Sequence, residues 1–302
     1  MSENSDQRPA ARLLIRPREI SFGSLEVHRV LPSRRLPSVG PWVFFDHMGP
    51  ASFDPGQGVD VIPHPHINLA TVTYLFDGEI VHRDCLGSVQ TITPGAVNLM
   101  FASRGIVHSE RTGPELRAAG HRLHGLQLWC GLPVEREETA PCFLHYPADT
   151  LPRTEIGPVG VRVMIGSAFG LDSPVETASP TLYAEAAVPG GGELALPRGI
   201  PERAVYVVSG AMASGGAELP ARTLAVFEGG DDVRLAARED SRIALIGGAP
   251  LGRRYMWWNF VSSRRERIEQ AKADWKEGRF APVPGETEAA PLPQRDAFFD
   301  RR

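Results

Sequence analysis

Two short histidine motifs have the residue types and spacing to do chemistry. His64-Pro65-His66 sets two imidazoles two positions apart. On a β-strand, side chains two apart share a face, so both rings can reach one point. His108-Ser109-Glu110 repeats that spacing with a carboxylate as its second member. His66 and His108 lie 42 positions apart, room enough for several intervening strands, so two paired strands could aim both motifs into one cavity. Three imidazoles and one carboxylate suit a first-row divalent metal. Structural zinc more usually recruits thiolates and closes its shell, so this set reads as an open site with a position left for water or substrate. Each motif alone is common on ordinary strands, and their force comes from occurring together.

Short strands must position these residues. Glycine and proline, 31 and 27 of 302 residues, imply many turns and exclude an all-helical bundle. Residues 71–76, TVTYLF, precede Asp77-Gly78, and residues 97–101, VNLMF, follow Pro94-Gly95, both strand-and-turn patterns. A second series of apolar runs occupies residues 161–165, 181–183, 204–208, 224–227 and 243–246. The two series are weakly alike, with residues 71–78 set against 203–210 and Pro94 against Pro220. Such repetition predicts two β-domains of similar plan, each a small barrel or jelly roll. The expected division is a disordered tail over 1–11, a metal-binding domain over 12–146, a linker over 147–158, a second domain over 159–280 and a Pro-rich tail over 281–302. One helix is expected near 263–277, in the second domain. Ser263 and Glu266 have capping-box spacing, and Ile268, Ala271 and Trp275 share a face.

Charge and cysteine usage narrow the setting. With 32 basic and 36 acidic side chains, a net charge of −4 argues against nucleic-acid binding. No apolar run approaches the ~20 residues of a membrane span. The N-terminus lacks the pattern of a secretory signal. Cys85, Cys130 and Cys142 are odd in number and show no CxxC spacing, so they read as reduced thiols. A cytoplasmic protein is expected, and a monomer, since two such domains can pack on each other within one chain.

Gly58 precedes His64-x-His66 by five intervening residues, and Gly105-Ile106-Val107-His108 supplies G-x-x-H. These resemble the two motifs of the cupin superfamily. Residues 45–50 (FDHMGP), 63–66 (PHPH), 71–75 (TVTYL), 82–84 (HRD), 104–110 (RGIVHSE) and 124–129 (HGLQLW) resemble the pirins, densely over 40–133 and more loosely beyond. The resemblance implies an all-β fold of two tandem cupin domains with a short C-terminal helix, and a metal in the first domain alone. It assigns His64, His66, His108 and Glu110 as ligands. Iron is the metal it implies, with nickel, manganese, zinc, cobalt and copper left open. Pro201-Glu202-Arg203 is taken to stand where a second HxH would fall, leaving the C-terminal domain without ligands. The chain departs from the family pattern at Ile67-Asn68-Leu69-Ala70, where Ala70 replaces the cupin-motif glutamate, and at Cys85.

The resemblance further implies a metal-dependent dioxygenase of quercetin 2,3-dioxygenase type, taking a flavonol-like aromatic substrate and dioxygen. Glu110 is its expected catalytic base. His124, Gln127 and His47 are expected to support the ligands or shape the pocket, His124 reading equally as a packed strand residue. For Asp46 the resemblance carries no mechanistic role. The alternative is a metal-binding regulatory protein that acts through a protein partner (a transcription factor or a metabolic enzyme) without turnover.

Overall fold

A computed structural model describes residues 10–22 and 25–294. The expected disordered tail lies outside the described residues over 1–9. The described residues divide into two compact units. One comprises 18–22, 25–38, 42–149 and 251–294; the other comprises 10–17, 39–41 and 150–250.

Each unit is built on a seven-stranded and a four-stranded antiparallel sheet, and the two plans match strand for strand. In the first, the larger sheet runs Cys142–Tyr146, Val97–Phe101, Leu69–Asp77, His121–Gly131, Trp42–Phe53, Leu25–Leu31 and Arg18–Phe22. In the second it runs Leu13–Ile15, Thr223–Glu228, Glu202–Ser209, Ser241–Gly248, Thr181–Val188, Val159–Ile165 and Arg153–Ile156. The smaller sheets are Asp60–His66, Ile106–Arg111, Ile80–Asp84 and Val89–Ile92 in the first unit. Glu193–Ala195, Arg234–Ala237, Ala211–Ser214 and Ala217–Pro220 answer them in the second. The fold is therefore all-β, two cupin-type double sheets with one short helix near the C-terminus. No helix among the described residues is long and apolar enough to cross a membrane.

The repeat is anchored by two equivalent glycines. Gly78 ends the strand Leu69–Asp77 and Gly210 ends Glu202–Ser209, and each lets the chain step from the larger sheet into the smaller. Both are left-handed, with φ of +83° and +80°. A Cβ on Gly78 would lie 2.1 Å from the Arg122 carbonyl oxygen, and one on Gly210 would lie 2.3 Å from Ser241 Oγ.

The unit boundaries differ from those expected. The strand Leu13–Ile15 pairs with Thr223–Glu228, so the start of the chain belongs to the second unit. Residues 251–294 return to the first, carrying the helix Arg265–Lys276 with them. The expected linker holds a strand, Arg153–Ile156, paired with Val159–Ile165. The helix begins two residues later than expected and carries no side-chain cap. Ser263 is drawn instead to buried Glu137, donating its backbone N–H at 2.8 Å and its hydroxyl at 2.9 Å. Ser262 donates to the same carboxylate at 3.2 Å. A buried carboxylate needs these donors more than a helix end open to water does. Ile268 and Ala271 are buried as expected, and Trp275 packs against that cluster.

The interiors of the two units differ. The second packs an apolar cluster that includes Leu194, Leu196, Leu235 and Ala237. These lie on or beside the strands that answer the two histidine-bearing strands of the first unit. Pro201-Glu202-Arg203 stands elsewhere, at the start of the strand equivalent to Leu69–Asp77. Buried Arg203 turns its guanidinium to the carbonyls of Pro197, Glu228 and Asp231.

Gly78→Ala should lower stability by about 2 kcal/mol or more, from the left-handed backbone and the overlap together. Gly56, at φ +90° with nothing within 4 Å of a Cβ, isolates the backbone component. Equal losses in Gly78→Ala and Gly56→Ala, read from denaturant midpoints, would show that the Arg122 contact contributes nothing.

Candidate metal centre

The strands Asp60–His66 and Ile106–Arg111 pair antiparallel, with His64 opposite His108 and His66 opposite Ile106. Alternation turns His64 and His66 inward together, and the register sets His108 beside them. Ligand nitrogens of the three lie within 4.8 Å of one another. The rings are packed at centroid distances of 4.4, 5.0 and 5.0 Å. All three are buried, at 8%, 1% and 1% exposure.

Hydrogen bonds fix which nitrogen each ring presents. A carbonyl can only accept, so His64 Nδ1 donates to Ile62 O at 2.9 Å and His66 Nδ1 donates to Asn259 O at 3.2 Å. In both, Nε2 is left as the lone-pair nitrogen. The third ring is set by a chain. Asp84 Oδ1 accepts the backbone N–H groups of Leu86 and Ser88, and its Oδ2 lies 3.0 Å from His82 Nε2. Burial alone would raise the Asp84 carboxyl, but hydrogen bonds from His82 and Ser88 outweigh it and hold it below its ordinary value. An anionic Asp84 keeps the His82 proton on Nε2, so His82 Nδ1 accepts from His108 Nδ1 at 3.3 Å. His108 Nε2 is then a buried acceptor with no hydrogen-bond partner. Buried polar atoms are rarely left so. Neutral histidines anchored at Nδ1, each offering Nε2, are the usual form of metal-binding histidines.

The rings stay neutral. Burial holds His64 down to about 4, with the Ile62 hydrogen bond opposing it. Burial also drives His66 and His108 well below their ordinary value, helped by His64. Glu110 stands outside the three-histidine group. A bulge between His108 and Glu110 sets it opposite Val61, and its carboxylate lines the same cavity, 3.4 Å from the Thr73 hydroxyl. Burial raises its carboxyl above the ordinary value. Three neutral nitrogens and a nearby carboxylate fit a divalent first-row metal, with His64, His66, His108 and Glu110 the residues able to hold it.

The cavity, about 730 Å³, is mainly apolar, with Leu25, Val27, Val59, Ile80, Trp129 and Trp258 on its walls. Gln127 lines it and accepts from Thr73 at 2.9 Å. His47 and His124 do not. Asp46 and Met48 face the cavity, so alternation turns His47 to the other side of the sheet, where its Nε2 lies 2.8 Å from His124 Nε2. His124 packs there against Phe76. Asp46 is held in a bidentate pair with Arg29 at 2.8 and 2.7 Å, and both line the cavity. Sequence reasoning missed Arg29, His82, Asp84, Trp258 and Asn259 as site residues. For His82-Arg83-Asp84 a signal existed, the same two-residue spacing as the ligand motifs.

His82→Phe keeps the stack on Phe143, now at 4.2 Å between centroids, but removes the acceptor for His108. Metal affinity should fall about 10–100-fold, measured by competition with a chelator, at unchanged secondary structure. Undiminished affinity would sink the relay. In metal-free protein the unfolded histidines take up protons below about 6.5, whereas folded His64 resists until about 4. Their contribution to stability is therefore complete above 6.5 and lost as pH falls toward 4. Glu110, raised in the fold, works in the opposite sense as one group against three. The melting temperature of the apoprotein should climb from pH 4 to 6.5, and His66→Gln or His108→Gln should flatten that climb.

Residues 24–130 match the family model described as Pirin, and residues 183–281 that described as Pirin C-terminal cupin domain. A "Pirin-like protein" of Caulobacter vibrioides is 47% identical over 287 residues, 93% of this chain and 99% of the relative. "Pirin" of Mus musculus is 31% identical over 279 residues, 88% of this chain and 92% of the relative. Among solved structures, quercetin 2,3-dioxygenase from Acinetobacter baumannii is similar with a TM-score of 0.84 and 33% identity, covering 94% and 95% of the two chains. With both cupin domains matched and relatives aligned nearly end to end, the chain belongs to the pirin family.

Proposed function

We propose that this pirin is a metal-dependent dioxygenase that opens a flavonol-like substrate with dioxygen. One observation carries the reading: three buried imidazoles converge on the wall of a mainly apolar cavity of about 730 Å³, one of them with an unpartnered ring nitrogen. Such a cavity suits a flat aromatic molecule whose polar groups can meet the few polar side chains on the walls, among them Arg29, Asp46 and Gln127. The similarity to a quercetin 2,3-dioxygenase supports this substrate class.

His64, His66, His108 and Glu110 would hold the metal, with iron the expected occupant. When bound, the metal acidifies a coordinated hydroxyl and brings substrate and dioxygen together. The residues do the rest. Burial has already raised Glu110, which makes its carboxylate a stronger base for the flavonol 3-hydroxyl proton. Thr73 stands beside it and is itself held by Gln127. Trp129, edge-on to His66 at 5.0 Å, and Trp258 offer aromatic faces to the substrate rings. The apolar walls exclude water from the reacting carbons. The flavonol and one dioxygen are consumed, and a ring-opened ester and carbon monoxide are released.

Protein loaded with iron, nickel or manganese should bleach quercetin with stoichiometric oxygen uptake and carbon monoxide release. His66→Ala should abolish turnover, and Glu110→Gln should lower kcat by about 10²-fold or more. Fully loaded protein that leaves quercetin unchanged with all three metals would overturn the proposal.

A further inference from the structure

The Pro-rich segment after the helix has more contacts than a surface tail needs. Glu286 accepts from Arg111 Nε at 3.1 Å and Nη2 at 2.7 Å, and from the Ser109 hydroxyl at 2.9 Å. Glu288 takes a further bond from Arg111 at 2.6 Å. The Ala290 N–H donates to Pro63 O at 2.8 Å, and the Trp275 indole donates to Ala290 O at 2.8 Å. Val283 is buried, and Leu292 packs against the Ile67–Phe260 cluster. Pro282, Pro284, Pro291 and Pro293 stiffen the run and leave it fewer donors to satisfy.

The anchors lie on the two strands that carry the histidines. His108 and Glu110 face the cavity, while Ser109 and Arg111, on the opposite side of the same strand, grip Glu286. Pro63, next to His64, grips Ala290. Ala290 and Pro293 themselves line the cavity.

We infer that residues 286–293 form a fixed wall of the substrate cavity and set how bulky a substrate it admits. This rests on the flavonol reading for the nature of the substrate, though not for the wall itself. The wall adds only small apolar surface, from Ala290 and Pro293, and no charge to the pocket. It therefore selects by size, favouring a bare aromatic ring system over one carrying a sugar.

Two variants test the wall in opposite directions: a chain ending at Gly285, and full-length Ala290→Trp, which fills the cavity without removing the anchors. In metal-free protein, diethylpyrocarbonate modification of His64, followed by mass spectrometry, reports access without any flavonol. Truncation should speed it about tenfold, the scale set by losing a charge-assisted anchor. Ala290→Trp should slow it. In nickel-loaded protein without oxygen, tryptophan quenching should show wild type binding quercetin at least about tenfold better than quercetin 7-O-glucoside, and truncation should erase that preference. His64 rates equal in all three proteins overturn the wall. Failure of both flavonols to bind any of the proteins overturns the flavonol reading, and the His64 rates still decide the wall.

Discussion

The candidate site of the first unit rests on one costly arrangement, three imidazoles packed together in a buried cavity wall with the His108 Nε2 lone pair unanswered. An unsatisfied buried acceptor opposes folding, and His108 would escape the penalty by taking a proton if it could. Burial and mutual repulsion prevent that escape. The rings cannot turn away either, because each Nδ1 is committed to a partner: Ile62, Asn259 or His82. A divalent cation held among the three rings would answer that lone pair, which is why these residues fit a metal.

Those Nδ1 partners come from three unlike sources. Ile62 is local, two residues from His64. The His82–Asp84 pair comes from the strand beside the ligand strand, so the relay is a product of sheet order. Asn259 comes from a hairpin that the chain builds after completing the whole second unit. That hairpin is held to the first unit by Glu137, which gathers Ser262, Ser263 and Arg254 around a buried carboxylate. The candidate metal centre thus rests on an ion-pair and hydrogen-bond cluster that touches none of its candidate ligands.

The two units show how one architecture is divided between chemistry and packing. Their sheets agree in strand order, and Gly78 and Gly210 make the same turn under the same steric constraint. Where the first unit places imidazoles, the second places leucines and closes its core. The exchange of terminal segments, the first strand going to the second unit and the last 44 described residues to the first, makes neither unit complete from contiguous sequence.

What the amino-acid sequence by itself determined is local. Two-residue spacing told which histidines share a face, turn residues told where strands end, and the faint repeat told that the plan recurs. Family resemblance named the four candidate ligands on the same positions. Tertiary structure decided the rest, because the deciding contacts are remote in the chain. Alternation says that Asp46 and His47 face opposite ways, but only the assembled sheet says which way is inward; hence His47 and His124 lie behind the sheet while Gln127 and Asp46 line the cavity. A capping box is a local pattern, yet Ser263 answers to Glu137, 126 residues away. Composition marks 281–302 as a tail, whereas Glu286 meets Arg111 across 175 residues because β-sheet register, which no single strand encodes, turns Arg111 outward to receive it.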